Sequence, residues 1–161
     1  MKSKQLVEEF ESTWAYTRNM TDVFIDCVPD EKWHYSHHPK FGPLSKQFRH
    51  MVCVYGCYIN AFKTQVMDLS QKKLNFSDEL TRENIKAALK TKDQELKVVL
   101  DSLKEKKLDE YSINFFGQQM GFTEYCDVLI QHESAHFGIW ANYAAFGEFE
   151  TPEMWKRDWE L

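Results

Sequence analysis

No stretch of this chain approaches the roughly 18–20 apolar residues that cross a bilayer, so a membrane-spanning helix is not expected. The first residues, Met1 to Gln5, run straight into an amphipathic pattern without the apolar core of about 7–15 residues that marks a secretory signal. Secretion is therefore not indicated, and a cytoplasmic location is the expectation. Cysteine is scarce: Cys27, Cys53, Cys57 and Cys126 all fall within helical patterns, which reads as reduced thiols and not a disulfide scaffold. There is no excess of basic charge. The formal net charge is -5, which argues against a phosphate-backbone binder, because such binding draws on clustered Lys and Arg. Internal repeats and low-complexity tracts are also missing.

What is present is a strongly patterned globular sequence. Apolar residues make up 43% and aromatic residues 15%, enough for one sizeable core in a single domain spanning residues 1–161. Leu6, Phe10, Trp14, Thr17, Thr21, Phe24 or Ile25, and Val28 keep helical spacing until Pro29 ends a first helix. Pro29 to Pro43, with Trp33, His34, His37, His38, Pro39 and Gly42, has the composition of an ordered loop. A second helix is predicted from about Pro43 to about Leu69 through Leu44, Phe48, Met51, Tyr55, Ile59, Phe62 and Val66. Residues 70–80 read as a polar turn. Thr81 with Asn84 starts a third helix whose stripe is Ile85, Leu89, Leu96, Val99 or Leu100, and Leu103. A long crossover from Lys106 to Gly121 has room for a short strand at residues 111–116. The fourth helix runs from about Phe122 to Phe146, stopped by Gly147, and an aromatic tail with Trp155 and Trp159 is expected to fold back over the bundle. Four long helices, long loops after the first and third, and no convincing sheet make the fold class all-α, a four-helix bundle.

The fourth helix carries an anomaly. Its predicted buried seam is Phe122, Tyr125, Leu129, His132, His136, Ile139 or Trp140, Tyr143 and Phe146, so two imidazoles stand where apolar groups belong. A buried unpaired polar group costs about 1–3 kcal/mol. Two, one turn apart, call for a shared partner, and a divalent metal ion is one that histidines four residues apart can grip together. An open catalytic zinc site usually takes three protein ligands. His50 on helix two is the best third donor, because Cys53, Val54, Cys57 and Ala61 around it are small and leave room for a cavity. The competing reading is that all three are ordinary part-buried histidines satisfied by backbone or water.

His132-Glu133-Ser134-Ala135-His136 also fits the short pattern of zinc peptidases, in which Glu133 would be the base. The longer metal-peptidase extension fails, because Ile139 and Asn142 stand where glycine and histidine would be needed. Glu133 points about 100° around the helix from His132, which favours a surface or supporting carboxylate over a catalyst. Cys53 and Cys57 are candidate soft-metal ligands that read better as small buried hydrophobes, and His34, His37 and His38 are candidates to line the mouth.

Leu129 to Trp140, with Leu44 to Met51 after a loop holding Trp33 and Pro39, resembles the DinB/YfiT-like superfamily over essentially the whole chain. The resemblance implies an up-down-down-up four-helix bundle and a three-histidine site of zinc or nickel type with His50, His132 and His136 as ligands. It also implies, frequently, a homodimer. Activities of that superfamily include thiol S-transfer and hydrolysis-type reactions on small molecules, so a low-molecular-weight thiol is the expected partner. A non-catalytic, stress-associated protein with a structural metal is the alternative. This chain departs from the usual pattern at Ile139-Trp140, where a glutamine is typical.

Overall fold

A computed structural model describes residues 2–72, 76 and 78–160, so part of the predicted 70–80 turn lies outside the described residues. Helix α1 spans Lys2–Cys27, α2 Leu44–Thr64, α3 Arg82–Leu103, α4 Phe122–Gly147 and α5 Glu153–Trp159. A two-stranded antiparallel hairpin, β1 (Ser112–Phe115) with β2 (Gln118–Gly121), sits in the crossover before α4.

Side-chain pairs along the helices fix their directions. Lys104 meets Glu11, Arg18 meets Asp93 and Lys86 meets Asp26, so α3 runs antiparallel to α1. Phe10 packs on Phe62, Trp14 on Tyr55 and Phe24 on Phe48, so α2 is antiparallel to α1 as well. Phe10 lies against Phe122 and Phe24 against Trp140, which makes α4 parallel to α1. The topology is therefore up-down-down-up. Long connections follow the first and third helices as expected, over residues 28–43 and 104–121, and the segment after α2, residues 65–81, is as long because it must join opposite ends of the bundle.

Two aromatic layers set the register. Phe24, Trp33, Phe48, Trp140 and Trp155 stack near one end, with Phe24 and Trp155 rings 4.8 Å apart and Phe48 and Trp140 rings 5.1 Å apart. Phe10, Phe62, Phe122 and Tyr125 form the other layer, with Phe62 and Tyr125 in edge contact at 4.9 Å. Such rings contribute both large buried area and geometric preference. The tail folds back as expected: Trp155 is fully buried and donates from Nε1 to the Met20 carbonyl.

Helix ends differ from the sequence reading in two places. Helix α2 stops at Thr64, five residues before Leu69. Gln65 turns left-handed, and the chain pairs with the hairpin through Met67 N–H to Asn114 O and Asn114 N–H to Gln65 O. Tertiary pairing overrides the apolar spacing of Val66. Helix α4 continues through Gly147, and Glu148 takes the left-handed cap in its place. At the other end of α2 the loop supplies the cap, with Tyr35 and Trp33 carbonyls accepting from the Leu44 and Ser45 N–H groups. Thr81 caps α3 by accepting from Asn84 N–H. The hairpin turns on Phe116 and Gly117, both at positive φ, as a two-residue primed turn requires.

Candidate metal centre

The i, i+4 spacing of His132 and His136 puts their rings 5.0 Å apart on the α4 face that meets α2. His50 reaches them from the second turn of antiparallel α2, with ring centroids 5.6 Å from His132 and 5.1 Å from His136. One nitrogen from each ring lies within 4.8 Å of the other two. The triad lies between the two aromatic layers: Phe48 and Trp140 pack on one side, Tyr58 and Tyr125 on the other. Burial grades inward, with His50 exposed, His132 half-buried and His136 buried.

No described residue hydrogen-bonds to any of the three rings, and Nδ1 of His136 is buried without a partner. Burial, then the neighbouring imidazoles, pushes His136 down to about 3, and burial with His50 pushes His132 down to about 4. His50 is lowered by burial and then by Lys72. All three are therefore neutral at physiological pH, with lone pairs available, which is the form a metal ligand needs. Three atoms no farther apart than 4.8 Å share a point within about 2.8 Å of each. Zn–N bonds run to about 2.0–2.1 Å, so small ring rotations close the difference. The residues fit a divalent cation.

The remaining candidates lie elsewhere. Glu133 is buried toward α1, accepting from Arg18 Nη1 at 3.1 Å and from Thr21 Oγ1. Its carboxyl is pushed up by burial and pulled down by Arg18 and Thr21, with the net shift upward. Arg18 is also shared with Asp22 and Asp93, and Tyr55 and Trp14 extend the chain of bonds. Burial disfavours the guanidinium, but the three carboxylates outweigh it and hold Arg18 charged. Cys53 and Cys57 are buried outside the triad, and none of the four cysteines forms a disulfide. A groove of about 670 Å³ runs between α1 and α3 beside Arg18 and Asp93. His34 Nδ1 lies 2.8 Å from Ser45 Oγ. His37 is stacked between Phe41 and Phe146 and abuts Tyr143. Phe146, expected in the buried seam, is 65% exposed there.

Sequence reading missed Tyr58, whose ring lies 5.6 Å from that of His132 and whose hydroxyl is pushed up to about 12 by burial. It also missed Arg18. The signal was available as polar interruptions at matching heights: Thr17, Arg18 and Thr21 in the α1 stripe, Asp93 in the Leu89–Leu96 gap of α3, and Glu133 on α4.

No helix among the described residues is long and apolar enough to cross a membrane. No curated protein matches the chain. The fold is similar to the crystal structure of a DinB-like protein from Bacillus subtilis, with a TM-score of 0.64 and 19% identity, covering 92% of this chain and 95% of that one. The sequence profile of the DinB family matches residues 1–144, from the first turn of α1 through both histidines of α4. Bundle order and sequence agree, and the chain belongs to the DinB family.

Proposed function

We propose that this protein is a metal-dependent enzyme in which His50, His132 and His136 hold one divalent ion of zinc or nickel type and leave a position open to a small molecule. The convergence of three unpartnered neutral imidazoles from two antiparallel helices supports this reading above any other observation. A divalent ion so held acts as a Lewis acid that makes a coordinating thiol or water acidic enough to supply a nucleophile near neutral pH. His136 anchors the site from the interior, while exposed His50 keeps one side open to solvent. Tyr58 walls the side beneath His132 and stays protonated, able to donate a hydrogen bond. Glu133 is committed to Arg18, so a peptidase-type base at that position has no support. Thiol S-transfer is the sharper form of the proposal, and hydrolysis the broader one.

The test pairs metal content with turnover of a low-molecular-weight thiol and 1-chloro-2,4-dinitrobenzene. Metal-replete wild type should turn over at least about tenfold faster than His136→Ala; equal rates contradict thiol transfer. A bound metal that raises the melting temperature without any thiol entering its coordination sphere would instead mark a structural ion.

A further inference from the structure

The chain has 7 tyrosines, and six of them donate their hydroxyl proton to a protein oxygen, two to carboxylates and four to backbone carbonyls. Tyr58 is the exception: its hydroxyl has no hydrogen-bond partner among the described residues. Burial does not account for the difference. Tyr58 is 4% exposed, between Tyr55 at 3% and Tyr111 at 8%, yet those two bond to Asp93 and to the Phe62 carbonyl. Among the described residues, the buried side-chain atoms without a partner are Nδ1 of His37, Nδ1 of His136 and Nε1 of Trp140. The Tyr58 oxygen is not one of them, so a buried ring presents its hydroxyl to open space. It is also the tyrosine whose ring lies on the triad, 5.6 Å from that of His132. Side chains lean toward the N-terminus of their own helix, so Tyr58 leans back along α2 toward His50, and His132 leans along antiparallel α4 toward Tyr58. Neighbouring Tyr125 is tied by its own bond to the Tyr58 carbonyl, which leaves Tyr58 as the free hydroxyl of the pair.

Resting on the metal-site reading above, we propose that Tyr58 orients the incoming small molecule by donating its hydroxyl proton to an oxygen that the molecule carries beside its coordinating atom. The substrate class is then a small thiol bearing a carbonyl or hydroxyl oxygen, in preference to a plain alkanethiol. A donor at the edge of a buried ring, with no protein acceptor, gains a hydrogen bond when such an oxygen arrives. A ligand without the oxygen displaces water and leaves the donor unanswered, and a site built to hydrogen-bond its ligand rejects the analogue that lacks the bonding atom.

Three small thiols test this: ethanethiol, which has no oxygen, 2-mercaptoethanol, whose hydroxyl donates and accepts, and methyl thioglycolate, whose oxygens only accept. Each is titrated into cobalt-loaded wild type and Tyr58→Phe protein, following the thiolate-to-cobalt absorption band. Each thiol's own acidity is common to the two proteins. Tyr58→Phe should bind both oxygen-bearing thiols roughly five- to tenfold more weakly, and ethanethiol within about twofold of wild type. A loss confined to 2-mercaptoethanol makes Tyr58 an acceptor and overturns the donor role. Equal change for all three thiols, no change, or no thiol reaching the cobalt overturns the oxygen requirement. Cobalt uptake is read separately from its ligand-field bands: without uptake the metal reading fails and the role of Tyr58 falls with it, and with uptake a failure belongs to Tyr58 alone. Metal-free protein checks the free hydroxyl. Tyr58→Phe removes no protein hydrogen bond and should not lower the melting temperature, whereas Tyr125→Phe gives up the bond to the Tyr58 carbonyl and should lower it. An equal fall in both variants means that the Tyr58 hydroxyl is engaged within the protein, which overturns the proposal.

Discussion

Helix α4 holds two polar clusters at adjacent residues, and they solve the problem of burial in opposite ways. Glu133 faces α1 and α3, where Arg18, Thr21, Asp93 and Tyr55 close a network in which the buried charges are answered from within the protein. His132 faces α2, where three imidazoles meet and none has a hydrogen-bond partner among the described residues. Both clusters lie between the same aromatic layers, so packing does not distinguish them. The difference is completeness: one seam is self-sufficient, and the other leaves its imidazole nitrogens without a hydrogen-bond partner among the described residues. A buried polar group left unpaired is expensive, so the second arrangement persists where an external ligand offsets the cost.

The contrast can be broken first on its closed side. Arg18→Ala leaves Glu133 buried without its cation, and the loss should be about 3–5 kcal/mol. In a chain of this length that lowers the melting temperature by roughly 6–20 °C. His136→Ala in metal-free protein should cost much less, because no bond is broken. Comparable losses in chemical denaturation would erase the distinction between the seams.

Metal removal is the next largest effect. At an ion concentration about a hundred times Kd, binding stabilises by about 2.7 kcal/mol, or roughly 5–11 °C. Chelation should lower the melting temperature of wild type by that amount and leave His136→Ala unmoved. A third effect comes from pH. His132 and His136 sit near about 4 and about 3, below their ordinary value of 6.5, so the unfolded chain takes up their protons first. Metal-free protein is therefore at full strength above about pH 6.5 and weakens as pH falls toward those values. The His132→Ala/His136→Ala variant should show a shallower slope of melting temperature between pH 7 and 5; an identical slope means the imidazoles are not held neutral. The smallest change belongs to Arg18→Met with Glu133→Met. Replacing both buried partners by apolar groups is often neutral or stabilising, so its denaturation midpoint should match wild type where Arg18→Ala falls well below.

Much of this was legible in the order of residues alone. The helices and the tail were carried by apolar spacing. The triad was legible because two histidines at i, i+4 inside an apolar seam are hard to satisfy without a shared ligand, and the long connections allowed α2 to run against α4. What spacing could not convey was pairing at a distance. The early end of α2 depends on Asn114, some fifty residues on, and Gln65 gives no local warning of it. The commitment of Glu133 was hidden because its partner Arg18 lies on another helix, and only polar breaks at matching heights in three stripes hinted at the network.

The central claim is that the open seam of α4 holds one ion through three imidazoles. Its most direct test is elemental analysis of untagged protein after equilibration with zinc, for wild type and for His50→Ala, His132→Ala and His136→Ala. The account predicts one zinc per chain in wild type and less than about a tenth of that in each variant. Zinc absent from wild type, or retained by His50→Ala at wild-type level, would contradict it.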